Sequence, residues 1–228
     1  MVQARRRGTE RRWPPILALA VALALYGMLP SDVPGLLRGA VVVVGAALTV
    51  PVLVLNPRRL DRETKWSRRF SVAQVLLLLV ANQVALGIVI HVLLIAKKPD
   101  GPLVLLATLQ VWVTNVIAFA LAYWELDRGG PVSRRIRPRE QLPAADFRFP
   151  QDEDGDAVIE VAAGSSERSG WAAGFVDYLY FSLTNSMAFS PTDAMPLTTR
   201  AKALMGTESF IAFVILALVI ARGVSLLG

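Results

Sequence analysis

Long apolar runs separated by short polar turns dominate the pattern along this chain. Residues 14–30, 36–55, 71–96, 103–124 and 201–227 are such runs, and 71–96 and 103–124 carry no Lys, Arg, Asp or Glu. A hydrocarbon core about 30 Å thick needs about 20 apolar helical residues to cross it, so the five runs predict membrane-spanning helices. A sixth segment, 175–186, is shorter. It makes roughly 18 Å of helix at 1.5 Å per residue, too little to span. A polar turn and a long apolar helix follow it, an arrangement tolerated at membrane depth only where the irregular backbone is buried or lines a cavity. The expected fold is an all-α membrane protein with five transmembrane helices and one re-entrant pore-type half-helix.

Charge divides the chain further. Residues 1–13 hold Arg5, Arg6, Arg7, Arg11 and Arg12 and read as a basic cytoplasmic tail. The run at 14–30 follows this tail as a signal peptide would, but it lacks a small-residue cleavage site and reads as a retained helix. Arg58, Arg59, Arg62, Lys65, Arg68 and Arg69 fill the connection at 56–70, whereas the turns at 31–35 and 97–102 hold few basic residues. The positive-inside rule then puts the N-terminus and 56–70 in the cytoplasm. Two further crossings bring residue 125 to the same side. Residues 125–170 contain Gly129-Gly130-Pro131, then Arg134, Arg135, Arg137 and Arg139, then Asp152, Glu153, Asp154 and Asp156. This composition predicts a polar flexible linker. The divisions are the tail 1–13, a four-helix region 14–124, the linker 125–170, and 171–228 with the half-helix and last span. The expected location is the inner cell membrane, crossed several times.

Composition removes several function classes. Hydrophobic residues make up 54% of the chain and charged residues 18%, against about 25% charged in an average soluble domain. There is no cysteine and one histidine, which excludes disulfides, thiol nucleophiles and metal sites built from several imidazoles. The net charge of +6 sits beside apolar segments, where it orients a protein in a bilayer; a nucleic-acid partner is not expected. No arrangement of nucleophile and base, phosphate-cradling glycines or paired carboxylates stands out, so neither catalysis nor a cofactor is expected.

One segment resembles a known family. Asp177-Tyr178-Leu179-Tyr180-Phe181-Ser182-Leu183 is similar to the pore helix of two-transmembrane-type bacterial potassium channels, where Asp-x-Leu-Tyr-Phe-Ser-Leu is common. Without a gap, Asp193 falls on the aspartate that ends the family's Thr-Val-Gly-Tyr-Gly-Asp filter. Pro196 falls on the proline three residues later, and Thr199-Arg200 resembles the start of the inner helix. The likeness covers residues 174–223 and extends to a group of bacterial membrane proteins with a Ser-Pro-Thr-Asp-like turn. It implies filter-equivalent positions Met187, Ala188, Phe189, Ser190, Pro191, Thr192 and Asp193, and pore-helix positions Asp177, Tyr180, Ser182 and Thr184. It also implies a bilayer-embedded homo-oligomer, a tetramer if channel-like, with monovalent cations as its permeant partners.

The centre of the motif departs from the family. Ala188-Phe189-Ser190-Pro191-Thr192 stands where Thr-Val-Gly-Tyr-Gly would be. Carbonyls aimed inward in place of the hydration shell require glycine at positive φ. Ser190 and Thr192 fill those positions, and Pro191 fixes its own φ and extends the residue before it. A potassium-selective filter is not encoded. Ser190-Pro191-Thr192-Asp193 also fits a helix start, with serine as N-cap, proline next and an acid in the first turn. The cap and the pore lining are both open on sequence. The charge count makes the loop enter from the cytoplasm, as in ionotropic glutamate receptors, whereas in potassium channels it enters from outside.

The remaining polar residues have ordinary explanations. Asn82, Gln83, His91, Gln110, Thr114 and Asn115 could line a path, but hydrogen bonding between helices accounts for them, and His91, close to the Lys97 turn, reads as an interfacial residue rather than a proton relay. Glu208 and Arg222 are expected to snorkel from the ends of the last helix, while for Glu125, Asp127 and Arg128 interfacial ion pairs and a functional site are both open on sequence. The expected function is a channel-like membrane protein without a potassium-selective filter, passing ions with altered selectivity. The alternatives are a non-conducting scaffold or partner-binding protein, and a small-solute transporter.

Overall fold

The computed structural model describes residues 9–30, 32–55, 59–60, 64–95, 101–187 and 194–227. The fold is all-α apart from two pairs of two-residue strands. In chain order it runs β1 (Glu10–Arg11), α1 (Trp13–Gly27), α2 (Gly35–Leu55), β2 (Arg59–Leu60), α3 (Lys65–Ile95) and α4 (Gly101–Leu126). Then follow α5 (Pro131–Ile136), β3 (Phe147–Arg148), α6 (Ile159–Ala162), α7 (Ser166–Ser169), α8 (Phe175–Met187), β4 (Met195–Pro196) and α9 (Thr199–Leu227), with four single 3-10 turns between α4 and α6.

Among the described residues, four helices are long and apolar enough to cross a membrane: Gly35–Leu55, Lys65–Leu93, Pro102–Gly129 and Thr199–Arg222. The chain is therefore a multi-pass membrane protein by the length and apolarity of its helices. Helix α1 is shorter. Helix α4 is the hub and touches α1, α3, α8 and α9. Its buried share, 67%, against 11% for α2, fits a helix apolar on every side. Helix α2 instead turns Val43, Val44, Val50 and Val54 outward. It meets α1 where Gly45 lies so close to Leu23 that a Cβ would stand 2.7 Å from the leucine Cδ2.

The ends of the helices explain how the chain turns at one face. Helix α3 starts after Thr64, whose hydroxyl accepts from Ser67 N–H at 3.0 Å while Ser67 Oγ accepts from Thr64 N–H at 3.1 Å. This is a reciprocal cap. β1 pairs antiparallel with β2, fixing the start of α1 beside the connection between α2 and α3. Helix α4 ends in three consecutive residues with positive φ, Arg128, Gly129 and Gly130. A side chain at Gly130 would strike Arg68, which donates to the carbonyls of Gly129 and Glu125.

The segment expected to be a flexible linker is a folded cap. Asp127, Arg134, Phe147 and Phe149 within it are buried. Phe147 stacks edge-on against Tyr123 and Phe181, with ring centroids 5.0 Å away in each case, and Phe149 packs on Tyr178 at 5.3 Å. Such pairs contribute about 0.5–1.5 kcal/mol each beyond burial. A few aromatic anchors thus outweigh the polar average that suggested disorder.

Candidate functional site

Three buried carboxylates gather the helix ends beneath the cap. Glu10 Oε1 accepts from the Phe175 N–H at 2.6 Å, at the start of α8, and Glu10 also takes the Trp124 indole N–H. A carboxylate there complements the unpaired amides and partial positive charge of a helix N-terminus. Asp127 Oδ1 accepts from the Asp146 N–H at 2.8 Å, and its other oxygen accepts from the Tyr178 hydroxyl. Asp146 in turn accepts from Thr198 Oγ1 at 2.6 Å and from the Arg200 guanidinium. β3 pairs with β4 just beside them. Arg134 is fully buried and donates to the carbonyls of Ala173, Trp124 and Asp127 at 2.9, 2.7 and 3.1 Å. Its guanidinium lies 4.8 Å from the centre of the Tyr178 ring, a cation–π contact. The starts of α8 and α9 and the end of α4 are therefore pinned at one level.

Glu208 forms a second polar centre, more than two turns into α9. It is fully buried, which corrects the expectation that it snorkels from a helix end. The short helix α8 lies against it and turns Ser182, Asn185 and Ser186 towards it. Its Oε2 accepts from Tyr123 Oη at 2.6 Å and Asn185 Nδ2 at 2.7 Å, and its Oε1 from Ser186 Oγ at 3.1 Å. Ser182 Oγ also contacts Oε1, and the same hydroxyl lies 2.8 Å from the Val116 carbonyl. Asn185 completes the link by accepting from Ser209 Oγ at 3.0 Å. No ion pair to Glu208 occurs among the described residues. A cavity of about 360 Å³ in the cap, by contrast, is bordered by charged side chains that include the pairs Arg128–Asp152 and Arg148–Glu153.

The residues singled out from sequence separate into two groups. Ser182 faces inward to Val116 and Glu208. Asp177 accepts from the Gly174 N–H at 2.7 Å and closes the first turn of α8. Burial pushes the Asp177 carboxyl above its ordinary range, opposed by that bond and by Arg135 and Arg134. Tyr180 and Met187 face outward, and Thr184 returns its hydroxyl to the Tyr180 and Phe181 carbonyls. Ala188, Phe189, Ser190, Pro191, Thr192 and Asp193 lie outside the described residues. Helix α9 starts at Thr199, where Thr198 Oγ1 accepts from the Ala201 N–H at 3.1 Å. Thr198 is therefore the cap of that helix. The path imagined through α3 and α4 contains a direct bond, from Asn82 Nδ2 to Asn115 Oδ1 at 2.9 Å.

Sequence reasoning passed over Tyr123, Asp146, Arg134 and the role of Glu208. Glu208 was the one with a visible signal, since an ionisable residue inside an apolar helix is a functional candidate by default. Compared with protein-family models, curated proteins and solved structures, the chain matches none.

Proposed function

We propose that this chain is a channel-like integral membrane protein in which α8 is a re-entrant half-helix and α9 the inner helix of the pore unit. One observation carries the reading: α8 and α9 start at the same end and run side by side. The start of α8 is tied to Glu10, and the start of α9 to Asp146, which is itself bonded to Asp127. Deeper in, Asn185 of α8 meets both Glu208 and Ser209 of α9. Helix α8 has 13 residues, about 20 Å of helix, short of a bilayer about 30 Å thick. A short helix that starts beside the next long one returns the chain to the face it left. Helix α4 supplies the outer helix of the unit, α1 the fifth span, and the cap occupies the place of a turret.

The arginines at this end favour the cytoplasmic side for the cap and the N-terminus, in the inner membrane. One copy supplies a fraction of a pore, so the working form is a homo-oligomer, a tetramer if it follows the channel family. Monovalent cations are the permeant species, without potassium selectivity, because Ser190 and Thr192 replace the glycines. The test is cation flux into liposomes holding the purified protein, potassium against sodium, beside Ser190→Trp. Flux that this substitution abolishes supports the reading. Flux that survives it places conduction elsewhere, and absence of flux across gradients and voltages favours the non-conducting scaffold.

A further inference from the structure

Glu208 has an environment that satisfies it in either of two proton states. A serine hydroxyl carries one proton, and that of Ser182 faces two acceptors, the Val116 carbonyl and Glu208 Oε1. With Glu208 ionised, Tyr123, Asn185, Ser186 and Ser182 all donate to it, as a buried carboxylate requires. The Val116 carbonyl loses nothing essential then, since it keeps its partner within α4. With Glu208 protonated on Oε1, the acid donates to Ser182 Oγ, and Ser182 turns its hydrogen to Val116. The other three donors stay where they are. A single hydroxyl rotation separates the two states, and neither leaves a buried polar atom unmatched. We propose that Glu208 is a proton-binding site within the membrane, and that its charge state sets how firmly α8 is held against α9.

The surroundings agree with this assignment. Helix α8 offers only neutral groups, Ser182, Asn185 and Ser186, and α4 offers one titratable side chain, Tyr123. No lysine, arginine or histidine among the described residues pairs with Glu208, so nothing fixes the negative charge permanently. An uncompensated charge at this depth costs several kcal/mol, whereas the protonated acid avoids that cost and keeps its bonds. The ionised form accepts four donors from two helices and clamps α8; in the protonated form the Ser182 bond reverses direction and all four bonds join neutral groups, each about half as strong.

The inference goes beyond conduction, because it needs the membrane placement of α9 and not an open pore. The experiment is infrared spectroscopy of the full-length protein in lipid, titrated between pH 4 and pH 9, wild type minus Glu208→Gln. The expected result is a carboxylic-acid carbonyl band that grows as pH falls and is lost in the variant. Its absence at every pH, or a band of constant height, overturns the proposal. Ser182→Ala keeps the carboxyl and guards against a Glu208→Gln variant that fails to fold. It should displace both the frequency and the midpoint of the band, and an unchanged band would overturn the role of Ser182. This readout does not use ion flux, so its failure is distinct from a failure of the channel reading.

Discussion

The α2–α3–α4 packing and the α4–α8–α9 packing solve the same problem by opposite means. Between α2, α3 and α4 the contacts are mostly apolar, relieved by single pairs such as Gln74 to the Gly45 carbonyl and Asn82 to Asn115. Between α4, α8 and α9 a carboxylate collects four side chains, and three more carboxylates hold the helix ends. Helix α8 shows the reason. Its inner face carries Tyr178, Ser182, Asn185 and Ser186, while Val176, Tyr180, Leu183 and Met187 point outward. A helix long enough to span is placed by its own apolar length. One too short for that has no such register, and directional polar bonds fix its position against α4 and α9.

That contrast can be broken by mutation. The largest effect is expected for Arg134→Met, about 3–5 kcal/mol of destabilisation, because three buried carbonyls lose their donor and the cap loses its link to Tyr178. Denaturant titration of the purified protein in mild detergent would measure it, with the loss of far-UV helicity as the signal. Glu208→Ala comes next, at about 2–3 kcal/mol, since it strips the shared acceptor from Tyr123, Asn185 and Ser186. A loss under about 0.5 kcal/mol there, the range of ordinary surface changes, would mean that apolar contact alone holds α8. Asp146→Ala should cost about 1–2 kcal/mol and act locally. Hydrogen exchange should quicken at 195–202, where Thr198 and Arg200 lose their partner, and stay unchanged in α2 and α3.

How far these features could be read from sequence follows the same division. The spans at 36–55, 71–96, 103–124 and 201–227 were legible because a bilayer demands contiguous apolar residues, a local property. The hub role of α4 was not, since the helix is apolar all round and its sequence names no neighbours. Glu208 was misread as a snorkelling residue because its partners are distant: Tyr123 is 85 positions away and Ser182 is 26. Neither looks like a ligand for a carboxylate until α8 is laid between α4 and α9. The cap was hidden by averaging. Residues 125–170 are polar in bulk, and Phe147 and Phe149 become anchors only against Tyr123, Tyr178 and Phe181 from other segments. Asp177 and Ser182 were picked out by resemblance; in the structure Asp177 makes a local bond that closes the first turn of α8, and Ser182 faces Glu208.

The smallest expected effect is the most informative about the apolar half. Asn82 and Asn115 are both buried, and their side-chain amides meet at 2.9 Å in the α3–α4 contact. In water-soluble cores such a pair would be costly to break. In a membrane the unfolded reference state keeps its helices and finds other partners, so the average coupling is only about 0.6 kcal/mol and the largest about 1.7. A double-mutant cycle of Asn82→Ala and Asn115→Ala, read by the same denaturant titration, should fall in that range. The matching cycle of Asn185→Ala and Glu208→Ala should exceed it, because a hydrogen bond to a carboxylate is roughly twice as strong as one between neutral groups. Equal couplings would mean that the charge at Glu208 adds nothing to the seating of α8. Polar bonds would then be as incidental around the short helix as they are between the long ones.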